Sequence, residues 1–172
     1  VDRIVPHTTD DHRRLARELV GLDDAWPVAT EPFTQWVVED RFVAGRPDWA
    51  AQGVQFVDDV SAWEAMKLRL LNAAHSTLAY LGVPAGLETV DRAVAHAALR
   101  GFVEALWSAE VAPTLPSQVR STIGPYCAQL LERFANPALG HRTRQIAMDG
   151  SLKLPLRLLP TLRARIAAGQ SF

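Results

Sequence analysis

In the first third of the chain, apolar residues come in short bursts broken by proline and glycine. From Val60 onward they recur with the period of an α-helix. Val1 to Pro6 alternates weakly and reads as a short extended piece. Thr8-Thr9-Asp10-Asp11 offers an N-cap for a helix over 10–20, and Gly21 is placed to end it. The stretch from Trp26 to Thr30 is extended. Phe33 to Asp40 predicts a strand through Trp36, Val37 and Val38, Gly45-Arg46-Pro47 a turn, and Val54 to Val60 a second short strand, so the β content is a small sheet or ribbon. Asp59 or Ser61 can cap a central helix that Gly82 and Pro84 stop near residue 81. The apolar stripe from Leu87 to Val111 predicts a second long helix, broken by Pro113 and Pro116. Ser121 to Ala135 predicts a third, ended by Asn136-Pro137, and His141 to Met148 a short one. Asp149-Gly150-Ser151 recaps the chain, Pro155 suits the first turn of a final helix, and Pro160 kinks or restarts that helix before Ala168.

The central helix breaks the usual amphipathic rule. On a regular wheel of about 100° per residue, with Lys67 at zero, Glu64 lies near 60°, His75 near 80° and Asn72 near 140°. Leu71, Ala74 and Leu78 fall among them, while Arg69, Ser76 and Tyr80 fall opposite. A water-facing stripe is not interleaved with Leu and Ala. An amine, an amide and an imidazole therefore sit on a buried face, a costly arrangement unless partners or a substrate satisfy them. Each alone reads as a hydrogen-bonded core polar group. Together on one arc beside a carboxylate, they read as a site.

Composition narrows the choice. Hydrophobic residues make up 48% and charged residues 22%, as in a soluble globular domain, and 172 residues suffice for one real core. The net charge of −1 provides no field for nucleic acid or an anionic membrane. The single Cys127 excludes an internal disulfide, suits a reducing cytoplasm and reads as packing. No apolar run is long enough to span a bilayer, and no signal-peptide pattern appears. The chain contains no Gly-x-Gly-x-x-Gly after a strand, no Walker-type loop, no zinc-ligand spacing and no Gly-x-Ser-x-Gly elbow. His7, His12 and His141 read as surface residues and His96 as core or interface. The five tryptophans read as core, with those between 26 and 63 available to pack on a further domain.

Lys67-x4-Asn72-x2-His75 resembles the signature of the polyol-specific long-chain dehydrogenases, which include mannitol 2-dehydrogenase and the uronate (fructuronate) reductases. Other matching segments are Val1-Asp2-Arg3-Ile4, Glu31-Pro32-Phe33-x-Gln35-Trp36-Val37, Glu39-Asp40-x-Phe42-Val43-x-Gly45-Arg46-Pro47 and Met148-Asp149-Gly150-Ser151-x-Lys153. The resemblance covers essentially the whole chain and is to the C-terminal part of that family. It implies Lys67 as general base, with Asn72 and His75 polarising the reacting oxygen, and no metal. It also implies Asp2 and Lys153 at the substrate. A second family asparagine maps to a position before Val1. Glu64, three residues before Lys67, is a candidate proton relay or a plain helix ion pair. Gln145 stands where some mannitol dehydrogenases have Arg, so the run 142–157 looks closer to the uronate reductases, with Lys153 and Arg157 holding a sugar-acid carboxylate.

The expectation is a mainly α domain with a small β element near its N-terminus. Residues 1–172 form the C-terminal substrate-binding and catalytic domain of an NAD- or NADP-dependent dehydrogenase, working with an N-terminal Rossmann domain absent from this chain. Its substrates are a sugar alcohol, ketose or hexuronate. The chain begins with Val, which fits a fragment or a processed chain. The rival is a helical binding or scaffold module with a buried polar cluster and no chemistry.

Overall fold

The structure is a computed structural model and describes residues 7–170. The extended piece expected at 1–6, and with it Asp2, lies outside the described residues. Helix α1 (Asp10–Val20) starts at Thr9. Its hydroxyl accepts from the His12 N–H, while His12 Nδ1 accepts from the Thr9 N–H, a reciprocal cap. Gly21, at φ 71°, closes the helix as expected.

Strands β1 (Val37–Glu39) and β2 (Gln55–Val57) pair in parallel, Val37 opposite Gln55 and Glu39 opposite Val57. Both are shorter than the apolar bursts suggest. Two such strands are marginal alone, and an aromatic cluster supports them. Trp36 stacks on Trp49 at 5.3 Å, Phe42 meets Trp49 and Phe56 edge-on, and the Arg46 guanidinium covers Phe56 at 3.6 Å.

The central rod is α2 (Ser61–Met66), a π-helical segment (Lys67–Asn72) and α3 (Ala73–Gly82). Asp59, not Ser61, supplies its first acceptor, at 2.8 Å from the Ser61 N–H. The regular helix expected here is wrong in one respect, because the rod is widened in its middle. Its α3 stretch is also buried on every side, with each residue from Ala73 to Ala79 in the interior. This is why polar and apolar residues alternate around it without forming a wet face.

The helix expected over 87–111 is divided. Helix α4 (Val90–Ala95) and α5 (Ala97–Ala105) meet at His96, which is extended (ψ 113°) and exposed, not core. Nothing in the Ala-rich local sequence favours a break. Each piece packs on α3, and α4 also on α6 (Ile123–Phe134), so tertiary packing overrides propensity. A second π-helical segment (Leu106–Val111) continues α5 and packs against the first.

Short 3₁₀ turns at Ala112–Thr114 and Ser117–Thr122 lead into α6. Helix α7 (Thr143–Ile146) is shorter than expected, and α8 (Gly150–Arg157) carries Pro155 inside it, not in its first turn. Pro160 does restart the chain, in α9 (Leu159–Ala167). Asp149 is the one non-glycine described residue with positive φ, at 58°, and it caps α8 with no side-chain bond. Of the tryptophans, Trp107 is buried, whereas Trp26 and Trp36 are exposed and not core.

Helix α8 lies against the rod, and its first residue decides how closely. A Cβ on Gly150 would sit 2.6 Å from the Tyr80 hydroxyl. Gly150→Ala is expected to destabilise the protein by about 1–3 kcal/mol. In a Tyr80→Phe background most of that loss disappears, because the clashing oxygen is gone. Chemical denaturation of the two single variants and the double variant checks the coupling.

Candidate active site

Lys67 opens the π-helical turn and Asn72 closes it, and both are half-buried. Lys67 lines a cleft of about 180 Å³ with Phe33, Gln35, Trp63, Glu64 and Tyr126. Glu64 is exposed at the rim of this cleft, on the same side as Lys67.

His75 follows one turn after the widened segment and is 3% exposed. It lies in a second, much smaller cavity with Glu31, Arg133, Phe134 and His141. The described residues therefore place Lys67 and His75 on separate concavities, and Asn72 lines neither. The imidazole stacks on Phe134, with centroids 5.6 Å apart and planes 5° apart, and meets His141 edge-on at 5.7 Å. His141 is thus half-buried against His75, not a surface residue.

Burial pushes the His75 pKa down to about 3, helped by the charges of His141, Arg157, Lys153 and Arg133 in that order. The ring is neutral at any working pH. It can donate or accept a hydrogen bond but does not carry charge.

The same list of charges shows what the fold gathers. Lys153 and Arg157, on α8, bear on His75. Lys153 Nζ donates to the Ile146 carbonyl at 3.1 Å and stands 3.8 Å from the Asp149 carboxylate. Arg157 Nη1 donates to Ser76 Oγ at 3.0 Å. Both are partly buried, so neither is a plain surface cation. Gln145 is not part of this cluster. It is exposed in a shallow groove with Leu87, Glu88, Arg142, Arg144 and Met148.

Sequence reasoning missed the groups behind His75. Glu31 and Arg133 form a two-pronged pair at 2.9 and 2.7 Å, with side chains 6% and 11% exposed, and the guanidinium covers Phe33 at 4.0 Å. The segment Glu31-Pro32-Phe33 does stand out in the sequence, but nothing there points to a partner a hundred residues away. Cys127 is half-buried, and burial pushes its thiol up to about 11, so it is an inert packing group as expected.

Among the described residues, no strand is followed by a glycine-rich loop and a helix. They do supply an amine, an amide and a neutral imidazole along one rod, with Arg133, Lys153 and Arg157 bearing on the imidazole. Residues 59–172 match the family described as the mannitol dehydrogenase C-terminal domain, and residues 1–51 match the mannitol dehydrogenase Rossmann domain. The chain belongs to the mannitol dehydrogenase family.

It is 49% identical to the D-mannonate oxidoreductase of Escherichia coli (strain K12) over 172 residues, which is all of this chain and 35% of that protein. It superposes on the Pseudomonas fluorescens mannitol 2-dehydrogenase, solved as a ternary complex with NAD and D-mannitol, with TM-score 0.85 and 40% identity. That match covers 99% of this chain and 35% of the other. A substrate-free D-sorbitol dehydrogenase matches with TM-score 0.90 and 37% identity at the same coverage. The chain spans about a third of the length of these relatives.

The depressed His75 pKa has a definite sign in stability. The unfolded imidazole takes up a proton below its ordinary value of 6.5, and the folded one does not until about pH 3. The contribution is therefore complete above pH 6.5 and is lost as pH falls through that window. Between pH 7 and pH 5 this group alone is expected to remove about 2 kcal/mol. Denaturant titrations at the two pH values, on the native protein and on His75→Gln, isolate it: the variant should lose less by that amount.

Proposed function

We propose that residues 1–172 serve as the C-terminal substrate-binding and catalytic part of an NAD(P)-dependent dehydrogenase. The full enzyme interconverts a secondary alcohol and a ketone on an open-chain sugar alcohol, ketose or hexuronate in the cytoplasm. Family membership supports the reaction class. The observation that carries the reading onto this chain is the rod with Lys67 and Asn72 at the two ends of one widened turn and the neutral His75 just beyond it.

Lys67 takes the substrate hydroxyl proton on Nζ. Asn72 donates its amide N–H to the oxygen as negative charge grows there, and neutral His75 adds a second donor without placing a cation in the interior. Glu64, at the rim of the lysine's cleft, passes that proton between Lys67 and water. Lys153 and Arg157 hold the distal hydroxyls or carboxylate of the substrate, assisted by Asp2. A bound nicotinamide dinucleotide would supply the hydride acceptor, held by a Rossmann domain whose family residues 1–51 match.

The separate cavities of Lys67 and His75 favour a second reading, a helical scaffold whose polar groups do no chemistry. Lys67→Met in the full-length enzyme separates the two. Loss of the base should lower kcat by about 10²–10⁴ with mannitol or mannonate and NAD⁺, followed as NADH absorbance. A scaffold would show no polyol-dependent NADH formation in either form.

The Lys153–Arg157 pair and Gln145 favour a carboxylate over a neutral terminus. Turnover of fructuronate is expected to exceed that of fructose, and Arg157→Leu should narrow the gap by raising the KM for fructuronate. Equal or better use of fructose by the native enzyme would reject the sugar-acid assignment.

A further inference from the structure

We propose that Trp107 is a positioning residue for this reaction: its indole N–H holds open the π-helical turn that fixes the rotation of Asn72 and His75 relative to Lys67. The inference rests on the functional reading above for what the three groups do, and on geometry alone for how they are held.

In an unbroken α-helix, His75 would stand about 80° around the rod from Lys67 and Asn72 about 140°. A π turn takes up roughly one extra residue and sets everything after it back by about 100°. His75 then returns to within about 20° of Lys67, and Asn72 to about 40°. On the wheel the widened turn therefore swings Asn72 and His75 round toward the direction of Lys67, which the sequence period does not, while Lys67 and His75 still line separate concavities.

Such a turn is poorly bonded, because its N–H groups reach five residues back and leave carbonyls mismatched. The Ala73 N–H shows this: it points to the carbonyls of Leu68 and Leu70. Leu70 is fully buried, so its carbonyl, which shares the Ala73 N–H with that of Leu68, has no water to turn to. Trp107 supplies a donor of its own. Its Nε1–H donates to the Leu70 carbonyl at 3.0 Å, and the indole is itself 3% exposed. A second bond from the same side flanks it, since Arg69 Nη1 donates to the carbonyl and hydroxyl of Thr114 at 3.0 and 3.1 Å. The stretch 106–114, which begins as the second π-helical segment, thus clamps the first at consecutive residues. Without the indole donor, the turn gains by relaxing to ordinary α geometry, and Asn72 and His75 rotate away from Lys67.

The test uses the full-length enzyme with Trp107→Phe, which keeps an aromatic ring and removes the donor. Val103→Ala, four residues earlier in α5 and also fully buried, is the control for simple loss of packing. Trp107→Phe is expected to lower kcat by about 10- to 100-fold and to shift the pH profile of kcat/KM, with the KM for polyol changed less than about threefold. Val103→Ala should lower the melting temperature and leave the pH profile in place. Equal effects of the two variants on the pH profile, or no kcat effect of Trp107→Phe, would overturn the inference.

A readout independent of turnover is the exchange of the Trp107 indole proton in ¹⁵N-tryptophan-labelled enzyme. It also decides the case if the Phe variant does not accumulate folded. Protection matching global unfolding supports the clamp, and exchange faster than that of neighbouring core amides rejects it. A native enzyme inactive on every polyol and uronate would sink the proposed function instead and leave this exchange result to judge the clamp.

Discussion

One widened turn, in a largely buried helix, constrains the rest of this structure. A surface helix relaxes a mismatched carbonyl by turning it to water. The rod from Ser61 to Gly82 has no such outlet in its buried middle, so each irregularity must be answered by a neighbouring element. Trp107 answers at Leu70 and Thr114 at Arg69, while Ser76 and Tyr80 meet α8 through Arg157 and Gly150. The helices around the rod act less as a coat than as its missing bonding partners. Two π-helical segments packed together are a consequence, because the second carries the indole that serves the first.

The electrostatics follow from the same burial. Arg133, Lys153 and Arg157 all bear on His75, and a charged imidazole among them would be repelled as well as desolvated. The interior resolves this by keeping the ring neutral and giving each cation its own acceptor. Glu31 takes Arg133, the Ile146 carbonyl takes Lys153, and Ser76 takes Arg157. The Glu31–Arg133 pair ties the region before β1 to the end of α6. Its net contribution to stability is small, since a buried ion pair gains little net free energy over its desolvation cost.

Much of the outline was legible in the residues. The Thr9 and Gly21 caps, Gly82 and Pro84 at the end of the rod, and the restart at Pro160 are local chemistry, and each falls where its residue type requires. The Lys67, Asn72 and His75 spacing and the segments around it placed the chain in its family. The break at His96 had no local sign, because Ala-rich sequence favours the helix that packing interrupts. His141 and His96 exchanged expected places for the same reason: polar flanks do not report what folds over them.

The sequence by itself determined which residues could do chemistry, where most helices begin and end, and that the fold is helical with a minor sheet. These depend on side-chain type and on neighbours a few positions away. Only the tertiary structure decided the phase of the central helix, the partner of Glu31 and the neutrality of His75. Each of these depends on groups tens of residues distant that burial forces into contact, and no local period encodes a hydrogen bond from Trp107 to Leu70.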